Sequence, residues 1–226
     1  MGVGNGVTTM IPRILLVLLC LMSAGAASDS MVDPYEALNR KTQKFNDVTD
    51  KRVMRPLAIA YNQLLPLAVR RSVGGVYGNL KDLGDALNNL LQGKPSEFLS
   101  DFVRVSINTT VGLGGIFDPA GSLGLNNHNE DFAQTLAKWG VPRGPYLVLP
   151  MLGPSSLRDV FTRPVSSVID PLLYLQPIGH RNALYGARLI DTRAALLGTE
   201  KVVFGDRYLF FSGGLSAKAA IPRVGR

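Results

Sequence analysis

The side chains that most often carry catalysis are few in this sequence and form no familiar catalytic set. Its two histidines, His128 and His180, lack acidic residues at the spacing of a metal site. Ser155 and Ser156 follow Gly153-Pro154, a pattern typical of a helix cap and not of the G-x-S-x-G turn of hydrolases. We therefore expect surface or capping histidines, and a protein that is not an enzyme and needs no metal or cofactor.

Two further motifs fail as catalytic or nucleotide-binding sites. Glu130 and Asp131 are adjacent, so on a helix they point about 100° apart and cannot flank one bond. Both suit the first turn of a helix, where negative charge complements the helix dipole. The run from Gly112 to Gly115 begins like a dinucleotide fingerprint, but Phe117 stands at the third glycine position. A phosphate cradle is thus excluded.

The composition is both basic and apolar. The 226 residues carry a net charge of +7, although only 18% are charged and 46% are hydrophobic. This combination favours an anionic lipid surface as partner; a basic globular protein without a charged partner is the alternative. Lys51-Arg52 and Arg70-Arg71 are short basic pairs without a nucleic-acid-binding motif, so we expect no nucleic-acid partner.

The N-terminus has the pattern of a secretory signal peptide. Arg13 precedes an apolar run over residues 14–22, and Ala24-Gly25-Ala26 forms a small-residue cleavage site. We place the signal at 1–26, and its apolar run is too short to span a membrane. Cys20, the only cysteine, lies inside it, so the mature chain would have no thiol. Lipid modification of Cys20 is the alternative, but bulky residues 17–19 precede it.

The spacing of apolar residues after position 34 is mostly helical, which predicts an all-α fold with one domain over residues 27–200. Gly93 ends one helix and Pro95 opens the next. Asn129 is the predicted cap of a helix that ends at Gly140, and a later helix is expected over about 180–197. The first of these helices is predicted from leucines that step by three and four: Leu80, Leu83, Leu87, Leu90 and Leu91.

Two connections between the predicted helices are unexpectedly apolar. Residues 111–121 place four glycines among valine, leucine, isoleucine and phenylalanine, and residues 140–156 place four prolines around Tyr146 to Leu149. Four prolines exclude a continuous helix. Each loop either packs into the core or faces lipid. For the second loop, packing into the core includes the alternative of a short buried strand at 146–149. Two such loops in a basic protein favour membrane contact.

Several stretches together resemble the MlaA family, also called VacJ. They are DPYEALNRKTQKFND (33–47), VYGNLKDLGDALNNLLQGKP (76–95), FVRVSINTTVGLGGIFDPAG (102–121) and DFAQTLAKWGVPRGPYLVLPMLGPSSLRD (131–159). The resemblance fades after residues 191–197 and leaves a divergent tail at 201–226. Most members of the family are lipoproteins, whereas here the surroundings of Cys20 favour ordinary cleavage.

The resemblance implies a single helical, ring-like domain that lies in the periplasmic leaflet of the Gram-negative outer membrane around a central amphipathic channel. It implies removal of mislocalised phospholipid from the outer leaflet, which maintains lipid asymmetry. The implied partners are phospholipid, a trimeric outer-membrane porin and a periplasmic lipid carrier, with an inner-membrane transporter downstream. A non-enzymatic scaffold that anchors porins is the alternative function.

Within that function, the two apolar loops are the predicted lining or gate of the channel. Glycines would let the backbone curve beside lipid, apolar side chains would form the wall, and Asp118-Pro119 would end the first loop at its wet edge. The predicted site residues are Gly112, Gly114, Gly115, Ile116, Phe117, Asp118 and Gly121 in the first loop, and Pro145, Tyr146, Leu147, Leu149 and Pro150 in the second.

Overall fold

A computed structural model describes residues 33–198 of the chain. These residues include both apolar loops and all the predicted helices. The predicted signal peptide with Cys20 and the predicted tail at 201–226 lie outside the described residues.

The described segment is mainly helical, which confirms the all-α prediction. None of its helices combines the length and the apolar character needed to cross a membrane. The chain runs through α1 (Glu36–Thr49), a π-helical turn (Asp50–Met54), α2 (Arg55–Leu64), α3 (Leu67–Leu91), α4 (Pro95–Thr110), α5 (Pro119–Ser122), α6 (Phe132–Lys138), β1 (Tyr146–Leu149), β2 (Gly153–Ser156), α7 (Leu157–Ile169), a 3-10 turn (Pro171–Tyr174) and α8 (Ile178–Leu196).

Local sequence signals set most of the helix ends. Gly93, the residue after the C-cap of α3, has a φ of +69°, and Pro95 opens α4, as the sequence predicts. Ser156 caps α7 by accepting a hydrogen bond from the Asp159 N–H. The predicted cap of α6 at Asn129 is wrong, because the Asp131 carboxylate accepts the Gln134 N–H at 2.7 Å. An acidic cap here also complements the helix dipole.

The proline-rich segment forms a hairpin that is fastened to α1. Strands β1 and β2 pair antiparallel, with Tyr146 opposite Ser156, so the short-strand alternative is the one that the structure shows. Asn39 donates to the Tyr146 carbonyl at 2.9 Å and accepts from the Val148 N–H at 2.8 Å. Two turns later along α1, Asn46 repeats this double contact with Leu149 and Met151. Both asparagines thus bond backbone groups that a short hairpin leaves unpaired.

The interior of the described segment is unusually polar and its surface unusually apolar. Five of the ten buried apolar residues are alanines, whereas fourteen polar or charged residues are buried, including Asp82, Asp85 and Asp101 at 1% exposure or less. The leucines at the C-terminal end of α3 face outward, with Leu90 51% exposed and Leu91 45% exposed. Soluble proteins show the opposite distribution, so this exterior is suited to an apolar environment.

Two glycines set the distance between α3 and the first apolar loop. Gly115 adopts a φ of +98° and packs against the backbone of Gly75 on α3. A Cβ atom added at Gly115 would lie 2.7 Å from both the Asn79 Cβ and the Gly75 carbonyl oxygen. The loop thus needs this glycine because it approaches a helix of the same chain; the predicted curvature of the glycines beside lipid stays a prediction.

We expect Gly115→Ala to destabilise the protein by about 1–3 kcal/mol more than Gly114→Ala. Gly114 also has a positive φ, of +76°, but no atom lies within 4 Å of a Cβ added there, so both variants strain the backbone and only one creates a clash. Thermal unfolding of the detergent-solubilised variants, followed by helical circular dichroism, measures the difference. Equal losses would contradict the close contact with α3.

Candidate functional site

A cavity of about 430 Å³ opens between α3 and α7. Its walls are helix faces, because the residues from α3 and those from α7 recur every three or four positions. Residues of the loop before α6, the hairpin turn, the residue after α7 and one residue of α8 complete it. The lining consists of Leu80, Lys81, Gly84, Asp85, Asn88, Glu130, Asp131, Leu152, Arg163, Ser166, Ser167, Ile169, Asp170 and Arg188.

The cavity is amphipathic, with charged groups beside leucine and isoleucine. Most of its charges are paired within the wall. The Lys81 Nζ lies 2.7 Å from Asp85, and the Arg188 Nη1 lies 2.7 Å from Asp170. Glu130 is bound at 2.7 Å by Lys94, which lies outside the lining. A chamber of this kind can accept a ligand that has both a charged and an apolar part.

Behind the cavity wall, a network of buried polar groups joins α3, α4 and the loop before α6. Arg104 donates to Asp82 at 2.8 Å, to Asp118 at 2.9 Å and to the Leu125 carbonyl at 2.9 Å. Asn127 donates to both Asp82 and Asp85. One guanidinium thus connects α3 to the end of the first apolar loop.

The environments of these carboxylates shift their pKa values in opposite directions. Burial raises the pKa of Asp82, against the opposing effects of Arg104 and Asn127. Burial likewise raises the pKa of Asp85, although Lys81 and Asn127 oppose it. Partial burial would also raise the pKa of Asp118, but hydrogen bonds from the Gly121 N–H, Arg104 and Asn108 outweigh it and leave that pKa below its usual value.

The first predicted loop lies away from this cavity, since none of its predicted site residues belongs to the lining. Its apolar side chains point outward: Leu113 is 62% exposed, Phe117 60% and Ile116 43%. Asp118 caps α5 by accepting the Gly121 N–H at 2.9 Å. A Cβ added at Gly112 would clash with the backbone of Asn108, which is again a contact within the chain.

The second predicted loop reaches the edge of the cavity. Pro145, Tyr146, Leu147 and Leu149 are partly buried in the hairpin, and Pro150 is exposed at its turn. Leu152, two residues beyond Pro150, belongs to the lining. The structure therefore brings the hairpin tip, and not the glycine loop, next to the chamber.

Sequence reasoning missed the buried polar face of α3, which contributes Asp85 to the cavity lining and Asp82 to the network behind it. Asn79, Asp82, Asp85 and Asn89 recur at helical spacing, between the leucines that predicted the helix. All four are buried. A second polar stripe with this period inside an apolar helix was the signal that could have revealed a buried polar chamber.

The two histidines differ from each other in their surroundings. His180 is exposed, as expected. His128 is not a simple surface residue, because its Nδ1 lies 2.8 Å from the fully buried carboxylate of Asp101, 27 residues earlier. Within residues 33–198, no cluster of three histidine, aspartate or glutamate side chains has the geometry of a metal site.

Comparison with known proteins identifies the family. The family model for the MlaA lipoprotein matches residues 31–213. This chain belongs to the MlaA family. A solved structure described as the structural basis for maintenance of bacterial outer membrane lipid asymmetry superposes with a TM-score of 0.73. That structure is 29% identical, and the match covers 83% of this chain and 96% of the other. The MlaA-family fold is thus shared over the described helices.

Curated relatives of this MlaA-family chain fall into two groups. A protein of Rickettsia felis, described as uncharacterized, is 40% identical over 143 residues, which are 63% of this chain and 57% of the relative. The intermembrane phospholipid transport system lipoprotein MlaA of Escherichia coli is 35% identical over 141 residues, 61% and 56% of the two chains. The Haemophilus influenzae protein of that name is 32% identical over 191 residues, 79% and 74%. The chain thus spans less than two thirds of the first relatives.

Proposed function

We propose that this chain takes part in intermembrane phospholipid transport and removes mislocalised phospholipid from the outer leaflet of a Gram-negative outer membrane. In this proposal the helical domain lies in the periplasmic leaflet, and lipid moves through an amphipathic channel to which the cavity belongs. The names of the Escherichia coli and Haemophilus influenzae relatives support this assignment. No bond is broken, so no catalytic residue is required.

The distribution of polar and apolar side chains is the observation that carries the proposal. Leu64 is 79% exposed, and Val111 and Leu123 are each 70% exposed, while Asp82, Asp85 and Asp101 are buried. Water would penalise such a surface, but acyl chains would cover it. The same acidic interior would be costly without the hydrogen bonds that satisfy it. An exterior covered by acyl chains around a polar, hydrated interior meets both requirements.

The mixed character of the cavity supports passage of a phospholipid. Each methylene kept out of water is worth about 0.8 kcal/mol, so moving two acyl chains through water would cost tens of kcal/mol. Leu80, Leu152 and Ile169 offer apolar contacts on a wall that also carries charge. A lipid can therefore keep its tails in an apolar environment while its head group turns over in a polar one.

The exposed side chains of the glycine loop contact acyl chains in this proposal, and the hairpin tip gates the cavity. Ile116 and Phe117 would supply the apolar surface, and Asp118 would mark the boundary with water. Leu149 and Pro150 lead into Leu152 at the cavity edge. Both predicted loops thus keep a role in lipid contact, one outside the chamber and one at its mouth.

The exposed face of α1 supports placement at an anionic membrane surface. Lys41 and Lys44 alternate there with Phe45 and Val48, all of them exposed. Lysines on the same face as apolar side chains can extend toward anionic head groups while their methylene stems cover apolar surface. A porin and a periplasmic carrier are the proposed protein partners, and the affinity of the carrier for lipid would set the direction of transport.

Lipid extraction from the detergent-purified protein tests the proposal. We expect phospholipid to co-purify and to be identified by mass spectrometry. The test should include a strain that lacks the chromosomal copy, in which the full chain should restore a low level of phospholipid in the outer leaflet. Protein that carries no phospholipid, restores no asymmetry and still forms a stable porin complex would favour the scaffold function instead.

The double variant Phe117→Asp with Leu123→Asp should bind phospholipid vesicles at least tenfold more weakly than the wild type. Burying each large apolar side chain contributes about 1.5–3 kcal/mol, which is roughly a tenfold change in affinity or more. Co-sedimentation with vesicles measures the effect. Ser122→Asp adds a charge between these positions without removing apolar area, since Ser122 is exposed. Unchanged binding of the double variant would argue against contact between this surface and lipid.

A further inference from the structure

We infer that Arg163 forms a phosphate-binding subsite in the cavity, and that its ligand is the phosphate diester of a phospholipid head group. This inference rests on the proposed function, since it assigns a residue to the polar end of the transported lipid. It depends on how the three cavity cations are engaged.

Two of the three cavity cations are neutralised within the protein. Lys81 contacts both oxygens of Asp85, at 2.8 and 2.7 Å, and Arg188 donates to Asp170 at 2.7 Å. Arg163 differs from both. In the part of the chain that the structure describes, its guanidinium makes no hydrogen bond or ion pair, and its Nε is buried without a partner. A partly buried guanidinium without an acceptor is costly, so the site favours an anion.

The serines near Arg163 on α7 already use their hydroxyl protons, so Arg163 is the hydrogen-bond donor that this helix offers to a ligand in the cavity. Ser166 and Ser167 lie three and four residues later on the same face, and both line the cavity. The Ser166 hydroxyl donates to the Thr162 carbonyl at 3.2 Å, and the Ser167 hydroxyl donates to the Arg163 carbonyl at 2.9 Å. Their protons are therefore engaged, and an anion that enters here meets the guanidinium.

The chemistry of the guanidinium favours phosphate. Its planar fork of N–H groups can donate two parallel hydrogen bonds to two oxygens of one phosphate, a geometry that lysine cannot reproduce. Ile169 and Leu152 line the same cavity and can contact the glycerol and the first methylenes of a lipid. The cavity thus offers one cationic donor without a partner among the described residues, beside apolar side chains, while its other two cations are bound to carboxylates, and this combination suits the junction between head group and tails.

Binding of a water-soluble, short-chain phosphatidylethanolamine to the purified full chain tests the inference, with diacylglycerol of equal chain length and inorganic phosphate as comparison probes. We expect Arg163→Gln to weaken phospholipid binding about tenfold, as loss of a charge-assisted hydrogen bond implies, and to leave diacylglycerol binding unchanged. Arg163→Lys should restore part of the affinity. Arg71→Gln removes an exposed arginine of α3 outside the lining and should bind like the wild type.

Equal phospholipid affinity of the wild type and Arg163→Gln, at equal helical content, would overturn the assignment while the proposed function stands. Inorganic phosphate binding as tightly as the phospholipid would overturn the choice of a lipid head group as ligand. A wild type that binds no phospholipid would overturn the proposed function and this inference with it.

Discussion

Replacing Ser166 by tryptophan should abolish phospholipid removal from the outer leaflet. Ser166 is exposed on the cavity face of α7, so an indole there would fill space that the lipid needs without displacing a core residue. Because steric obstruction does not depend on lipid affinity, we expect outer-leaflet phospholipid to rise to the level of the deletion strain. The fraction of phospholipid accessible to an external phospholipase, measured in complemented cells, gives the result.

Ser106→Trp is the matched control for obstruction. Ser106 is also an exposed helical serine, and its hydroxyl donates to the carbonyl four residues earlier, at 2.8 Å, as that of Ser166 does at 3.2 Å. It lies on α4, outside the cavity lining. We expect normal asymmetry in this variant. Retained transport in correctly localised Ser166→Trp would place the lipid path elsewhere in the molecule.

Arg104→Met should produce the largest loss of stability, about 3–5 kcal/mol, which is typical when one partner of a buried ion pair is removed. The side chain of Asp82 is only 2% exposed, and Arg104 also binds Asp118 and the Leu125 carbonyl. Methionine keeps much of the volume but leaves the Asp82 carboxylate buried without its cation. Thermal or denaturant unfolding of the solubilised protein measures the loss.

The loss caused by Arg104→Met should be smaller at acidic pH. The pKa of Asp82 is already raised in the folded wild type by burial, and removal of Arg104 raises it further. An acid with a raised folded-state pKa contributes stability below its unfolded pKa and loses that contribution as pH rises through the folded value. The variant is therefore most destabilised at neutral pH. A loss that does not vary with pH would contradict this origin.

Arg40→Met is the control for loss of an arginine as such. Arg40 pairs with Glu36 at 2.7 Å across one helical turn, but the two side chains are 39% and 54% exposed. Exposed pairs contribute about 1 kcal/mol or less. A comparable loss in both variants would show that burial of the Asp82 pair is not what stabilises the fold.

Much of the helical fold could be predicted from local sequence, because its ends depend on short-range chemistry. Gly93 and Pro95 act on their own turns. The cap of α6 was misassigned because Asn129 and Asp131 are both good capping residues, and only the tertiary course of the chain selects Asp131.

The site was harder to predict because its partners are distant in sequence. Leu87 and Asp85 belong to two stripes of α3 with the same period, and periodicity does not tell which stripe faces inward. In a soluble protein the leucines would be buried; here Leu87 is exposed and Asp85 buried. Gly115 likewise depends on Gly75, forty residues earlier, which no local pattern connects to it.

The two asparagines of α1 match the residue spacing of a helix to the residue spacing of a strand. Asn39 and Asn46 are seven residues apart, or about 10.5 Å along a helix. The hairpin groups that they hold, around residues 147 and 150, are three residues apart, or about 10 Å along a strand. The two spacings match in this alignment. A shift of either element by one residue along its axis would therefore break the hydrogen bonds of both asparagines. These four hydrogen bonds tie the hairpin to the first helix, so we expect a displacement of the hairpin tip at the cavity to shift α1 as well.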